Sequence, residues 1–278
     1  MLPSVSTNPM TDRMLALTSI PIAGQNVNCA VFASPRPSVI VLSHERSGTH
    51  FLMNTLARSY GYVSWPWIDL DPMVIPMDDG DPRAIERLLG RFAAKRVASI
   101  VKSHHAVEFF DGVLDRIAER YVMFYIHRDP VDVMLSFFRF IHGMPWYRGP
   151  QKDDPATFAL AEPTGAMMRY ELRHHQSLLH RWQDHVEGWV AAAATRPRIV
   201  VVRYEDLRDR FEMTVRGFRA ALGAEPVDLS PPPRDVNTIH IPVRGRIGEI
   251  SRLDPAIADL RKVAREAVGD TMERLGYF

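Results

Sequence analysis

Ser38-Val-Ile-Val-Leu-Ser-His-Glu-Arg-Ser-Gly-Thr-His50 runs from an apolar segment through a turn at Gly48 into a helical pattern over Thr49–Tyr60. The hydrophobicity before the turn is continuous rather than alternating. That is the pattern of a strand buried on both faces, as in a parallel sheet. Three more runs share it: Val97-Ala-Ser-Ile-Val101, Tyr121-Val-Met-Phe-Tyr-Ile126 and Ile199-Val-Val-Val202. Around them lie helical patterns at Pro82–Ala94, Glu108–Glu119, Pro130–His142, Thr164–Ala194 and Pro255–Leu275. Strands alternating with helices imply crossover connections, so the sequence predicts an α/β fold, a single domain with a central parallel β-sheet flanked by helices. Its core is expected over 38–278, with 1–37 as an N-terminal extension. The stretch 144–163, rich in Pro, Gly and Asp, reads as a lid loop. A second loop opens at Ser230-Pro-Pro-Pro-Arg234 and reaches Ser251.

Composition narrows the function classes. Apolar residues make up 46 % and charged residues 24 % of the 278, ordinary values that exclude disorder and collagen-like repeats. Basic and acidic residues number 34 and 33, which argues against a nucleic-acid binder relying on a basic footprint. The basic residues are lopsided, 30 Arg against 4 Lys. A lone cysteine, Cys29, gives no internal disulfide and no thiolate zinc cluster. No apolar run approaches the ~20 residues of a bilayer span, and Met1–Met14 has no signal-peptide pattern. The expectation is a soluble, cytoplasmic protein with no membrane-spanning helix, of open oligomeric state.

In open parallel sheets, ligands sit beyond the carboxyl ends of the strands. The four strands lead into Ser43-His-Glu-Arg-Ser-Gly-Thr-His50, Lys102-Ser-His-His105, His127-Arg128-Asp129 and Arg203-Tyr204-Glu205-Asp206. Each supplies a cation, so the rim is expected to hold a multiply charged anion although the whole chain is nearly neutral. The first loop joins a strand to a helix through Ser47, Gly48 and Thr49, aiming backbone N–H groups and the positive helix end at one point. A Walker A loop would read G-x-x-x-x-G-K-[ST]. Here the first glycine is missing, and Arg46 stands before Ser-Gly-Thr. No strand ends in the apolar run plus Asp that usually holds Mg²⁺. Arg128 and Ser136 are spaced to grip a second phosphate, with Asp132 holding the arginine's angle. A plain helix N-terminus capped by Asp129 explains the same residues. His104, next to Lys102, has the unperturbed pKa of a general base for an acceptor hydroxyl, and the cation favours the neutral ring. His44, His50 and His105 are rival bases, and packing is the default for most of the 11 histidines.

Together these residues resemble the sulfotransferases that use 3′-phosphoadenosine 5′-phosphosulfate (PAPS). The family's phosphosulfate loop, [PS]-K-[ST]-G-[ST], is similar to Glu45-Arg-Ser-Gly-Thr-His50, and R-x-x-x-D-x-x-x-S to Arg128, Asp132 and Ser136. K-[ST]-H matches Lys102, Ser103 and His104, and the tyrosine of Y-E-D-L matches Tyr204. The late R-K-G-x-x-G-[DE] loop resembles Arg244-Gly-Arg-Ile-Gly-Glu249, with Val243 in place of the first basic residue. Trp182-Gln-Asp-His-Val-Glu-Gly-Trp189 is similar to the family's W-x-D-H-V-x-G-W helix, and Met272–Tyr277 to its usual ending.

The resemblance implies PAPS as co-substrate, no metal, and an acceptor bearing a hydroxyl or, less often, an amine (small phenol, glycan or glycolipid). It assigns catalysis to His104, Lys102 and Arg46, and PAPS binding to Arg46, Ser47, Gly48, Thr49, His50, Phe51, Arg128, Ser136, Tyr204, Arg244 and Gly245. Arg46 in place of the loop lysine keeps the charge but cannot give up a proton. Trp65, Trp67, Phe109, Phe110, Trp146 and Tyr147 are candidate walls of the acceptor site. The alternatives are a P-loop nucleotide kinase using ATP and Mg²⁺, and a non-catalytic relative that binds nucleotide or glycan.

Overall fold

The continuous apolar runs become four strands of a five-stranded parallel sheet, three of them central and Ile199–Val202 at one edge. A computed structural model of the chain describes residues 15–22, 25–33, 36–70, 82–233 and 255–278. The described strands are β1 (Leu15–Ile22), β2 (Gln25–Phe32), β3 (Ser38–Ser43), β4 (Val63–Asp69), β5 (Ser99–Ser103), β6 (Tyr121–His127) and β7 (Ile199–Arg203). The helices are α1 (Thr49–Tyr60), α2 (Pro82–Ala94), α3 (Leu114–Ala118), α4 (Pro130–Gly143), α5 (Pro155–Ala159), α6 (Leu178–Ala194), α7 (Tyr204–Asp209), α8 (Phe211–Gly217), α9 (Arg219–Leu222) and α10 (Pro255–Arg274). The order across the sheet is β4-β5-β3-β6-β7, and every neighbouring pair is parallel.

Every residue of β3 and β6 is buried, because helices cover both faces. Successive side chains alternate between the two layers. Ile40, Leu42, Met123 and Tyr125 join one core with Leu179, Trp182 and Leu260 of α6 and α10. Val39, Val41, Val122 and Phe124 join the other with Leu52 and Leu56 of α1 and Val215 of α8. Each fully buried aliphatic side chain contributes ~1.5–3 kcal/mol relative to exposure, so strand placement is over-determined. Among the described residues no helix is long and apolar enough to cross a membrane.

Four parts of the chain depart from the sequence expectation. Residues read as part of an N-terminal extension form the antiparallel β1–β2 hairpin, with Cys29 and Phe32 buried. Its Ala30 carbonyl accepts from the Ala98 amide at 2.7 Å, which ties it to the segment before β5. β4 was not expected either. It is an edge strand, where Pro66 is tolerated because one side of the ladder needs no donor. The helix expected over Glu108–Glu119 divides at Gly112 (φ 71°) into a 3₁₀ turn, Val107–Phe110, and α3. Likewise Thr164–Ala194 divides into the 3₁₀ turn Gly165–Tyr170 and α6, whose start is fixed by Ser177 Oγ accepting from the His180 amide. Within 144–163, Tyr147 and Phe158 are buried and Asp154 caps α5.

Candidate functional site

Where β3 ends, the chain makes the tight loop His44–Gly48 and enters α1. Arg46 (φ 68°) and Gly48 (φ 100°) both take left-handed backbone. At Gly48 the conformation is compulsory, since an added Cβ would lie 2.4 Å from Cδ2 of Tyr204. The glycine lets the first residue of α7 close over the loop, with the Tyr204 ring also touching Phe51 edge-on at 5.9 Å. Gly48→Ala should therefore destabilise the fold by about 1–3 kcal/mol, read as a lowered melting temperature. An unchanged melting temperature would show that the loop can move aside.

The cations of three strand ends converge on this loop. Arg46 Nε donates to Ser136 Oγ of α4 at 3.0 Å, across 90 residues of chain. Arg128 Nη2 donates to Asp132 at 2.8 Å, and its guanidinium lies 4.5 Å from the centre of the Tyr204 ring. α4 begins at Pro130, with Asp129 accepting from the Val131 amide, so Arg128 leaves β6 just before a capped helix start. Burial, with the like charge of Arg128 added, pulls Arg46 down to about 10, so it stays cationic at neutral pH. Two donors are stranded here: Ser47 Oγ and Arg128 Nε are buried without a hydrogen-bond partner among the described residues. The first-turn N–H groups of α1 have no acceptor within the helix. Converging cations and unfilled donors are what an anionic ligand completes, so the residues present fit phosphate or sulfate groups.

Lys102 and His104 stand at the end of the neighbouring strand β5. His104 Nδ1 lies 2.9 Å from the Ser43 carbonyl, which can only accept, so the proton sits on Nδ1 and the lone pair on Nε2. Burial, then the cation of Lys102, holds the imidazole well below its usual pKa, opposed in part by Glu45 and Asp69. The ring is a neutral base at pH 7. Lys102 Nζ pairs with Asp69 at 3.0 Å, and Trp67 Nε1 also donates to Asp69. The rival histidines have other occupations. His44 bonds through both nitrogens, to the Glu45 carbonyl and to Arg181. His105 is buried, hydrogen-bonds Ser103 Oγ and stacks on Phe109 at 3.9 Å. His50, beside Trp67, is held down to about 3 by burial and Lys102.

Some expectations are corrected. Arg203 does not join the other cations. It donates to the Gly276 carbonyl and lies 4.6 Å over Tyr277, because the C-terminal turn packs against β7. A strand does end in an apolar residue plus Asp, namely Ile68-Asp69 of β4, and that carboxylate is taken by Lys102. Of the proposed acceptor walls, Phe109, Phe110 and Tyr147 are buried, whereas Trp65 is 60 % and Trp146 51 % exposed. Asp69, Glu45 and Arg181 were missed, since a single acidic or basic residue carries no local signal of its partner. Arg244 and Gly245 lie outside the described residues.

The profile of the sulfotransferase domain matches residues 36–225. The chain belongs to the sulfotransferase domain family. Human sulfotransferase 2A1 is 22 % identical over 196 residues, which is 69 % of this chain and 62 % of that protein. The chain thus spans less than two thirds of that curated relative. Among solved structures of the family, mouse sulfotransferase SULT7A1 complexed with 3′,5′-adenosine bisphosphate (PAP) aligns with TM-score 0.46 and 16 % identity, covering 85 % of this chain and 66 % of that one. Retinol dehydratase in complex with androsterone and the inactive cofactor PAP aligns with TM-score 0.43 and 18 % identity, covering 81 % and 76 %.

Proposed function

We propose that this sulfotransferase-family chain transfers a sulfuryl group from PAPS to an acceptor hydroxyl. The observation that carries the reading is the meeting of Arg46, Ser136 and Arg128 at one helix start beside a histidine whose proton is fixed on Nδ1. His104 Nε2 accepts the hydroxyl proton as the acceptor oxygen bonds to sulfur. The bond from sulfur to the 5′-phosphate oxygen breaks in the same displacement, and its electron pair stays on the leaving PAP. Lys102 and the N–H groups of Ser47–His50 meet charge on the sulfuryl oxygens. Arg46 meets charge on the leaving 5′-phosphate. Arg128 and Ser136 hold the 3′-phosphate that separates PAPS from ATP, a role the resemblance also gives to Arg244 and Gly245, with Tyr204 and Phe51 on the nucleoside side. Thr49, whose hydroxyl lies 2.6 Å from Ser43 Oγ, fixes the loop beneath His104. The fixed cations perform the neutralisation without a metal. The lone, buried Cys29 suits a reducing, cytoplasmic compartment.

Thermal melting tests this directly. PAP at about 100 times its dissociation constant should add about 2.7 kcal/mol of stability, without Mg²⁺. Stabilisation by ATP–Mg²⁺ alone would favour the kinase. Stabilisation by PAP with no transfer of label from PAPS to any hydroxyl acceptor would favour the binding module.

A further inference from the structure

Four consecutive residues, Ser43 to Arg46, reach both halves of the proposed reaction centre. The Ser43 carbonyl fixes His104, and Arg46 bonds Ser136. Between them, His44 and Glu45 point into the body, and both end on Arg181 of α6, a side chain with no exposed surface. Arg181 Nη1 donates to His44 Nε2 at 2.8 Å, Nη2 lies 2.8 Å from Glu45 Oε2, and Nε donates to Glu171 Oε1 at 2.5 Å. The other Glu45 oxygen accepts from the Tyr147 hydroxyl at 3.1 Å. Glu171 is held in turn by His175 Nε2 at 3.0 Å. Next to Glu171 stands Tyr170, a buried ring that meets His104 edge-on at 5.6 Å.

We infer that Arg181 is a positioning residue, one guanidinium that locks the anion-binding loop to the segment packed against the general base. The inference rests on the sulfotransferase reading and deepens it. A non-glycine residue at φ 68° keeps that conformation only where its surroundings over-determine it. The residues before Arg46 supply the restraint. Rotating them would pull a carboxylate and an imidazole off a buried guanidinium, leaving charge unpaired in a dry interior. The planar guanidinium reaches Glu171, His44 and Glu45 with three separate nitrogens held in one rigid plane, whereas the three donors of an ammonium share a single nitrogen.

The charge states agree with the geometry. Burial pushes Glu45 up, but Arg181 draws it below its usual value. Glu171 falls to about 2, where burial is outweighed by Arg181 and by the hydrogen bond from His175. Burial, then Arg181, brings His44 down to about 3, so its Nε2 is a neutral acceptor. All three partners are in the required form at neutral pH. The brace also reaches Tyr147, so the segment after α4 shares the carboxylate that holds the loop.

The test combines Glu45→Leu with Arg181→Met, which removes this ion pair as a unit, while Glu171 keeps the hydrogen bond from His175. Melting temperature, PAP affinity by calorimetry, and kcat and KM for PAPS are measured on the full chain. The double variant should melt cooperatively, bind PAP at least 10-fold more weakly and lose at least 10-fold in kcat. Glu45→Gln, which keeps one oxygen for Arg181 but removes the charge, should retain more PAP affinity and kcat than Glu45→Ala. If the double variant does not fold, Glu45→Ala, which leaves Arg181 paired with Glu171, should show the same losses. A folded variant within twofold of wild type in PAP affinity and kcat would overturn the inference alone. Wild-type protein that neither binds PAP nor turns over PAPS would overturn the sulfotransferase reading, and the inference with it.

Discussion

Replacing His104 with alanine should lower PAPS turnover by about 10²–10⁴-fold while PAP affinity stays within about threefold of wild type. The ring makes no hydrogen bond to Arg46, Arg128 or Ser136, so its loss leaves the anion-binding groups in place. On the proposed mechanism it does remove the group whose Nε2 lone pair takes the acceptor proton. The pH profile supplies a second reading of the same residue. Burial and Lys102 disfavour the imidazolium, so the folded-state pKa lies well below 6.5 and the base form persists as pH falls through that value. The acid limb of kcat/KM is therefore expected below pH 6.5 and should vanish in the alanine variant. Retained turnover in His104→Ala, or an unchanged acid limb, would assign proton removal to another group.

Arg46→Ala should cost about 10²–10³ in kcat, the usual loss when one preorganised donor to developing charge is removed. PAP affinity should fall with it, because the proposed mechanism sets Arg46 against the same phosphate in substrate and product. Its guanidinium sits 5.1 Å over the ring of Phe140 and bonds Ser136, so it is aimed before any ligand arrives. Arg46→Lys restores charge at the position where the family's loop pattern carries lysine, and should recover activity to within about 10-fold of wild type. An ammonium loses the fork to Ser136, which accounts for the remaining deficit. The pair is measured by single-turnover transfer from labelled PAPS and by PAP calorimetry. Equal activity of the alanine variant and wild type would remove Arg46 from the reaction.

How much of this was legible depended on whether the signal was local. β3 was recognised residue for residue, and α2 likewise, because buried strands and amphipathic helices write their periods into short stretches. β4 was missed because Pro66 and two tryptophans disguise an edge strand that pairs on one side only. The β1–β2 hairpin was missed because its stability comes from docking on residues 96–99, nearly 70 positions away, rather than from its own pattern. The cations Arg46, Lys102 and Arg128 were named from strand ends, and the parallel sheet does bring those ends together. Arg203 was named by the same rule, yet the C-terminal turn captures it.

The amino-acid order thus determined the layered α/β scheme, the turn at Gly48 and the set of side chains leaving the strands, since each is written in a pattern spanning about a dozen residues. Folding decided which nitrogen of His104 carries the proton, that Lys102 is paired with Asp69, and that one arginine of α6 holds His44 and Glu45. Those partners lie 61, 33 and about 137 residues apart. Strand register and helix rotation bring them within bonding distance, and both are set by packing of the whole core rather than by any local pattern.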